Sequence, residues 1–145
     1  MNEKLQVIEA QLYMSELTFP LLREQLLRHG EIQAWYRYYR GGNQWAKKFF
    51  KEENVFLVNQ CIIWQQIAEN GTMNIFSLKL NEITKIQRSY AYENKHSEKL
   101  VLSEVTATLR TMDKKSKPDV VVFKRPLPEE QGDAEGFEQF IALLD

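Results

Sequence analysis

Two apolar runs, Val55-Phe56-Leu57-Val58 and Cys61-Ile62-Ile63-Trp64, are separated only by Asn59-Gln60. So short a connection leaves no space for a crossover helix. The runs must pair antiparallel through a tight hairpin. The fold therefore contains antiparallel sheet, and the question becomes what the rest of the chain adds to it.

Flanking segments supply further strands. Upstream, AWYRYYR (residues 34–40) is aromatic and extended until Gly41-Gly42-Asn43 breaks it. Downstream, Asn70-Gly71 marks a turn. Ile75–Leu80 and Ile83–Tyr92 then read as strands with a kink near Asn81-Glu82. Leu100–Met112 alternates through Leu100, Leu102, Val105, Ala107 and Leu109, with a phase slip near Ser103 that fits a bulge or a turn. Lys114–Pro118 is a polar loop, Val120–Phe123 another strand, and Pro126 and Pro128 end the β region.

Both ends read as helix. Leu5, Ile8 and Leu12 form one stripe at helical spacing. In TFPLLREQLLRHG, Thr18 reads as a cap and Pro20 as a first-turn residue, while Phe19, Leu22 and Leu26 share a face. Gly30 is a natural stop, preceded by Arg28 and His29 at the negative end of the helix dipole. Near the C-terminus, Asp133 precedes a helix whose Phe137, Phe140, Ile141 and Leu144 recur at i, i+3, i+4 and i+7. The order is two helices, about seven strands and a closing helix, expected as a single domain over residues 1–145.

Charge and cysteine content narrow the classes. A net charge of −1 argues against a dedicated nucleic-acid binder. The charges are nonetheless segregated: residues 33–51 carry Arg37, Arg40, Lys47, Lys48 and Lys51 with nothing acidic. The stretch 128–145 is purely acidic among its charged residues, which by default is a solvated face. Cys61, the single cysteine, excludes an intramolecular disulfide and a cysteine-rich zinc site. MNEKLQVIEAQ lacks the apolar core of a signal peptide, and no run approaches the ~20 apolar residues of a membrane helix. Asn70-Gly71-Thr72 is then a turn rather than a glycosylation site, and the expected location is the cytoplasm.

NVFLVNQCIIWQQ and FSLKLNEITKIQ together resemble the paired elements of bacterial pleckstrin-homology-like (PH-like, GRAM-type) domains. Leu57, Asn59, Ile62, Ile63 and Trp64 match the first element, and Leu78, Leu80, Glu82, Ile83 and Ile86 the second. Val58 and Cys61 stand where that pattern usually has Thr and Arg. The resemblance spans roughly residues 50–90. It implies an α+β fold: a PH-like barrel of about seven antiparallel strands over residues 31–145, plugged by a closing helix at 133–145. Residues 1–30 are then an N-terminal helical extension.

Catalytic constellations are missing from the sequence. His29 and His96 belong to no metal-binding spacing, and Glu93 and His96 fall in a solvated turn, YENKHSEK. Cys61 sits among apolar neighbours and reads as core. No nucleophile elbow, phosphate loop or dinucleotide fingerprint occurs. The expectation is a non-enzyme without metal or cofactor. In the aromatic stretch, Trp35, Arg37 and Tyr39 project to one face of a strand and Tyr36, Tyr38 and Arg40 to the other. Rings on both faces suit a strand packed on two sides rather than a stacking platform for nucleic acid. The expected function is a binding or adaptor module acting through protein–protein contact or self-association. The alternative is weak binding of anionic headgroups or nucleic acid through Arg37, Arg40, Lys47, Lys48 and Lys51.

Overall fold

The structure, a computed structural model, describes residues 3–12, 15–38, 50–68, 72–110, 119–126 and 133–144. Helices α1 (Glu3–Gln11) and α2 (Ser15–His29) lead into strands β1 (Ile32–Tyr38), β2 (Phe50–Val58), β3 (Cys61–Ala68) and β4 (Met73–Lys79). A 3-10 turn, Leu80–Glu82, connects these to β5 (Ile83–Tyr92), β6 (Leu100–Leu109) and β7 (Val120–Lys124), and α3 (Ala134–Ala142) follows. None of the described helices is long and apolar enough to cross a membrane.

The hairpin that anchors the fold forms as its spacing requires. Val58 pairs with Cys61, and Asn59 and Gln60 take φ of 46° and 67°. Left-handed backbone at both central residues is the type I′ turn, whose twist matches that of the flanking strands. The phase slip at Ser103 is a bulge: Ser89 pairs with Glu104 and Tyr90 with Leu102, leaving Ser103 as the extra residue.

The closed barrel is not what forms. Four strands make one sheet in the order β1-β2-β3-β4, and three make another in the order β5-β6-β7. Two features keep them open. First, the connection expected to kink near Asn81-Glu82 forms the 3-10 turn, and among the described residues β4 and β5 do not pair. There, Leu80 N–H donates to the Gln60 carbonyl beside the β3–β4 pairing, and Arg110 N–H to the Glu82 carbonyl beside the β5–β6 pairing, so each end of the turn stays with its own sheet. Second, α3 stands between the other two outer strands. Phe140 packs its ring 5.2 Å from Tyr36 of β1 and 5.5 Å from Phe123 of β7. The architecture is α+β, with two open antiparallel sheets facing one another and α3 along their open side.

Two cores share the first sheet. Tyr36, Val55, Leu57, Ile62 and Trp64 meet Val105, Ala107 and Phe123 of the second sheet and Phe137, Phe140 and Ile141 of α3. On the opposite face, Ile32, Phe56, Val58, Cys61 and Ile63 are covered by Leu5, Ile8, Leu12, Phe19, Leu22 and Leu26 of the helical pair. β2 and β3 are thus buried on both sides, which is why their sequences run apolar without alternation. Strand β1 is packed the same way: Trp35 stacks on Phe56 on the helix side, and Tyr36 meets Phe137 edge-on within the other core. The N-terminal helices therefore cover a face of the first sheet.

Pro20 departs from its expected place. Helix α2 begins at Ser15, so Pro20 lies inside the helix rather than in its first turn, and Thr18 is a buried helical residue rather than a cap. Proline removes one helical hydrogen bond here. Tertiary contacts from Phe19 and Leu22, both buried, hold the helix through that point.

Candidate interaction surface

The β5–β6 hairpin carries one face that starts in the core and ends in water. Cross-strand partners share a face, so Arg88 with Val105, Tyr90 with Leu102 and Tyr92 with Leu100 form successive rungs. Val105 is wholly buried and Leu102 half-buried, whereas Tyr90, Tyr92 and Leu100 are 59%, 65% and 56% exposed. The apolar pattern thus continues beyond the reach of α3. Between the hairpin and α3 lies a groove of about 360 Å³, lined by Arg88, Tyr90, Leu100, Leu102, Glu138 and Ile141 among others. Glu138 is held by Arg125, whose Nη1 donates to it at 2.7 Å. Strand β5 is an outer strand of its sheet, paired to β6 alone among the described residues.

The hairpin's far end is closed by polar contacts. Glu93 N–H donates to the Lys99 carbonyl, His96 N–H to Asn94 Oδ1 and Lys99 N–H to Ser97 Oγ. This is the solvated turn expected of YENKHSEK, and His96 is exposed within it.

A second groove, about 510 Å³, follows the outer edge of β1 between α1 and α3, with Glu3, Lys4, Val7, Gln33, Glu135 and Gln139 among its walls. Carbonyls on this edge already have donors: Lys4 Nζ reaches Ile32 O at 2.9 Å, and the Asp133 amide reaches Arg37 O. Gly136 lies close against the Trp35 carbonyl. An incoming strand would have to displace these contacts, so β5 is the more accessible edge.

Of the basic residues singled out from the sequence, the structure describes the side chain of Arg37. Arg37 pairs through Nε with Oε1 of Glu52 at 2.6 Å, and its Nη1 donates to the Gln11 carbonyl at the end of α1. It clasps the helices to the sheet. Arg40, Lys47 and Lys48 lie outside the described residues; Lys51 belongs to β2, its side chain also outside the described part.

Arg37 belongs to a buried polar layer that the sequence reading missed. Glu52, Asn54 and Gln65 are fully buried; Asn54 Nδ2 donates to Gln65 Oε1 at 3.0 Å, and Gln65 Nε2 to the Thr18 carbonyl at 2.9 Å. In sequence these residues look like polar flanks of the apolar runs. Their only signal was register: residues 52 and 54 continue the face of Phe56 and Val58, and 65 that of Cys61 and Ile63.

Groups with potential chemistry are dispersed. Cys61 is buried and its thiol is pushed above the usual range by desolvation, with the Leu78 backbone and the Lys79 charge pulling weakly the other way. His29 Nδ1 faces the Gln25 carbonyl of its own helix at 2.9 Å. Among the described residues no group of three His, Cys, Asp or Glu side chains is placed to hold a metal ion.

No family model, curated protein or solved structure matches the chain.

Proposed function

We propose that this protein is a non-enzymatic interaction module of the cytoplasm that takes an extended segment of a partner protein along β5, beside α3. The observation that carries this reading is the exposure of Tyr90, Tyr92 and Leu100 on a face whose inner rungs are core. An outer strand offers main-chain donors and acceptors to an added strand, and the adjoining groove offers room for alternate side chains. Tyrosines suit such a surface because each combines a large apolar ring with a polar tip. The cytoplasmic assignment is supported by a single buried cysteine and no disulfide. Kinship with PH-like domains rests on NVFLVNQCIIWQQ and FSLKLNEITKIQ alone.

A test is to select binders from a library of unstructured peptides and map them by amide chemical shifts. Selected peptides should perturb Arg88–Tyr92 and the exposed side of α3, and Tyr90→Asp with Tyr92→Asp should abolish binding while leaving the fold intact. Selection that yields nothing, or shifts confined to other elements, overturns the assignment. Binding that instead fades steeply with salt and persists in the tyrosine variant points to the basic stretch 33–51.

A further inference from the structure

Helix α2 is apolar on both sides. Phe19, Leu22 and Leu26 are buried against the first sheet, yet Leu17, Leu21 and Leu27 are 68%, 57% and 55% exposed. Leu17 and Leu21 continue into Glu24 and Arg28, so the outward seam repeats at the alternating four–three–four spacing of a helix–helix contact. Pro20 and Leu27 widen it on one flank, and Pro20 is exposed as well. Charge is polar along the helix: Glu16 occupies its first turn, Arg28 and His29 its last.

We propose that α2 is a homodimer contact, packing antiparallel against α2 of a second copy about a twofold axis between Leu21 and Glu24. In this register Leu17 faces Arg28 of the second copy and Leu21 faces its Glu24. The aliphatic stems of those charged side chains cover the leucines while their heads remain at the rim. Glu16 comes beside Arg28 and His29 of the other helix, and the two helix dipoles run in opposition. A parallel pairing would set Glu24 on Glu24 and Arg28 on Arg28, so charge complementarity selects the antiparallel form. It also selects a second copy over an anionic membrane, because Glu24 sits within the apolar seam. This surface is distinct from the β5–β6 groove, so the two assignments stand or fall separately.

The contact is small. A fifteen-residue helix is about 22 Å long. One such pair buries less than the ~1,200 Å² of a standard interface, so the dimer forms only at high concentration.

Sedimentation velocity of the full chain from about 10 μM to about 1 mM spans the range where so small an interface dissociates. The weight-average mass should rise toward that of a dimer. Leu17→Glu with Leu21→Glu should weaken association at least about tenfold, with an unchanged circular dichroism spectrum because both side chains point to solvent. Glu16→Lys and Arg28→Glu should each weaken it, and their combination should associate more tightly than Arg28→Glu alone, since the exchanged charges still meet across the axis while the Arg28–Glu24 pair within the helix, 3.2 Å, is lost in both. A monomer throughout the range overturns the proposal, as does a dimer indifferent to the leucine substitutions. A combination no tighter than Arg28→Glu alone overturns the antiparallel register. Leucine-dependent binding to phosphatidylserine-containing vesicles without self-association would assign the face to a lipid surface instead.

Discussion

Arg37 and Glu52 sit side by side on the helix-facing side of the first sheet, Nε to Oε1 at 2.6 Å, with the carboxylate wholly buried and the guanidinium largely so. The same arginine reaches the last carbonyl of α1 at Gln11. One side chain thereby links a buried anion, strand β1 and the helical pair. Arg37→Ala strips the carboxylate of this cation and should cost about 3 kcal/mol in urea unfolding. Replacing both, as Arg37→Met with Glu52→Leu, should recover most of that loss, because two apolar side chains need no desolvation of charge. A double variant as unstable as the single one would show that the pair positions the helices by geometry rather than by charge.

The Asn59-Gln60 turn holds two non-glycine residues in left-handed backbone, at φ of 46° and 67°. Asparagine tolerates this conformation; glutamine does so at a cost of roughly 1 kcal/mol. Gln60→Gly should therefore stabilise the protein by about 0.5–1 kcal/mol in thermal unfolding, even though glycine adds entropy to the unfolded chain. The backbone bond from Leu80 N–H to the carbonyl of residue 60 is kept in the glycine variant, so an unchanged or lower midpoint would mean that the Gln60 side chain offsets the strain.

Legibility from sequence followed the range of the interactions. The Asn59-Gln60 hairpin, the Phe137/Phe140/Ile141 stripe and the Ser103 bulge are local patterns, and each is where periodicity puts it. Sheet closure is not local. Whether β4 pairs with β5, or β7 with β1, depends on the 3-10 turn at Leu80–Glu82 and on where Phe140 finds a cavity, and neither is encoded in strand periodicity. The polar layer escaped for a related reason: Glu52, Asn54 and Gln65 are polar by type and buried only because α1 and α2 fold back over them. The exposed rungs Tyr90, Tyr92 and Leu100 alternate like core residues, so only the position of α3 distinguishes them from core.

Cys61 gives stability a pH dependence with a definite sign. Desolvation raises its thiol in the folded protein, whereas in the unfolded chain the thiol ionises near pH ~8.5. Above that pH the unfolded state binds fewer protons than the native state, so stability falls as pH rises. The slope from this single group is at most about 1.4 kcal/mol per pH unit. Urea unfolding between about pH 8 and 9.5, below the range where lysine and tyrosine titrate, should show the decline in the native sequence. The decline should flatten in Cys61→Ala. The same burial predicts that thiol-directed reagents label Cys61 only as fast as the protein opens; rapid labelling at neutral pH would contradict its place under α2.

Gly136 determines how closely α3 approaches β1. It is buried in the first turn of the helix, and its N–H donates at 2.8 Å to Asp133, the capping residue. A methyl group there would collide with the Asp133 carboxylate and lie 2.8 Å from the backbone oxygen of Trp35. Helix propensity alone favours alanine by about 1 kcal/mol, so propensity and packing predict opposite signs. Backbone cannot yield as a flexible side chain does, and packing should win: Gly136→Ala is expected to destabilise by about 2 kcal/mol. Asp133→Ala removes the cap at a cost of about 1 kcal/mol. It also removes the nearer of the two clashes, so the double variant should be more stable than the sum of the single losses implies. Gln139→Ala, on the exposed side of the same helix, should change little. Additive losses in the double variant would mean that the Trp35 carbonyl, not the cap, limits how near α3 can come.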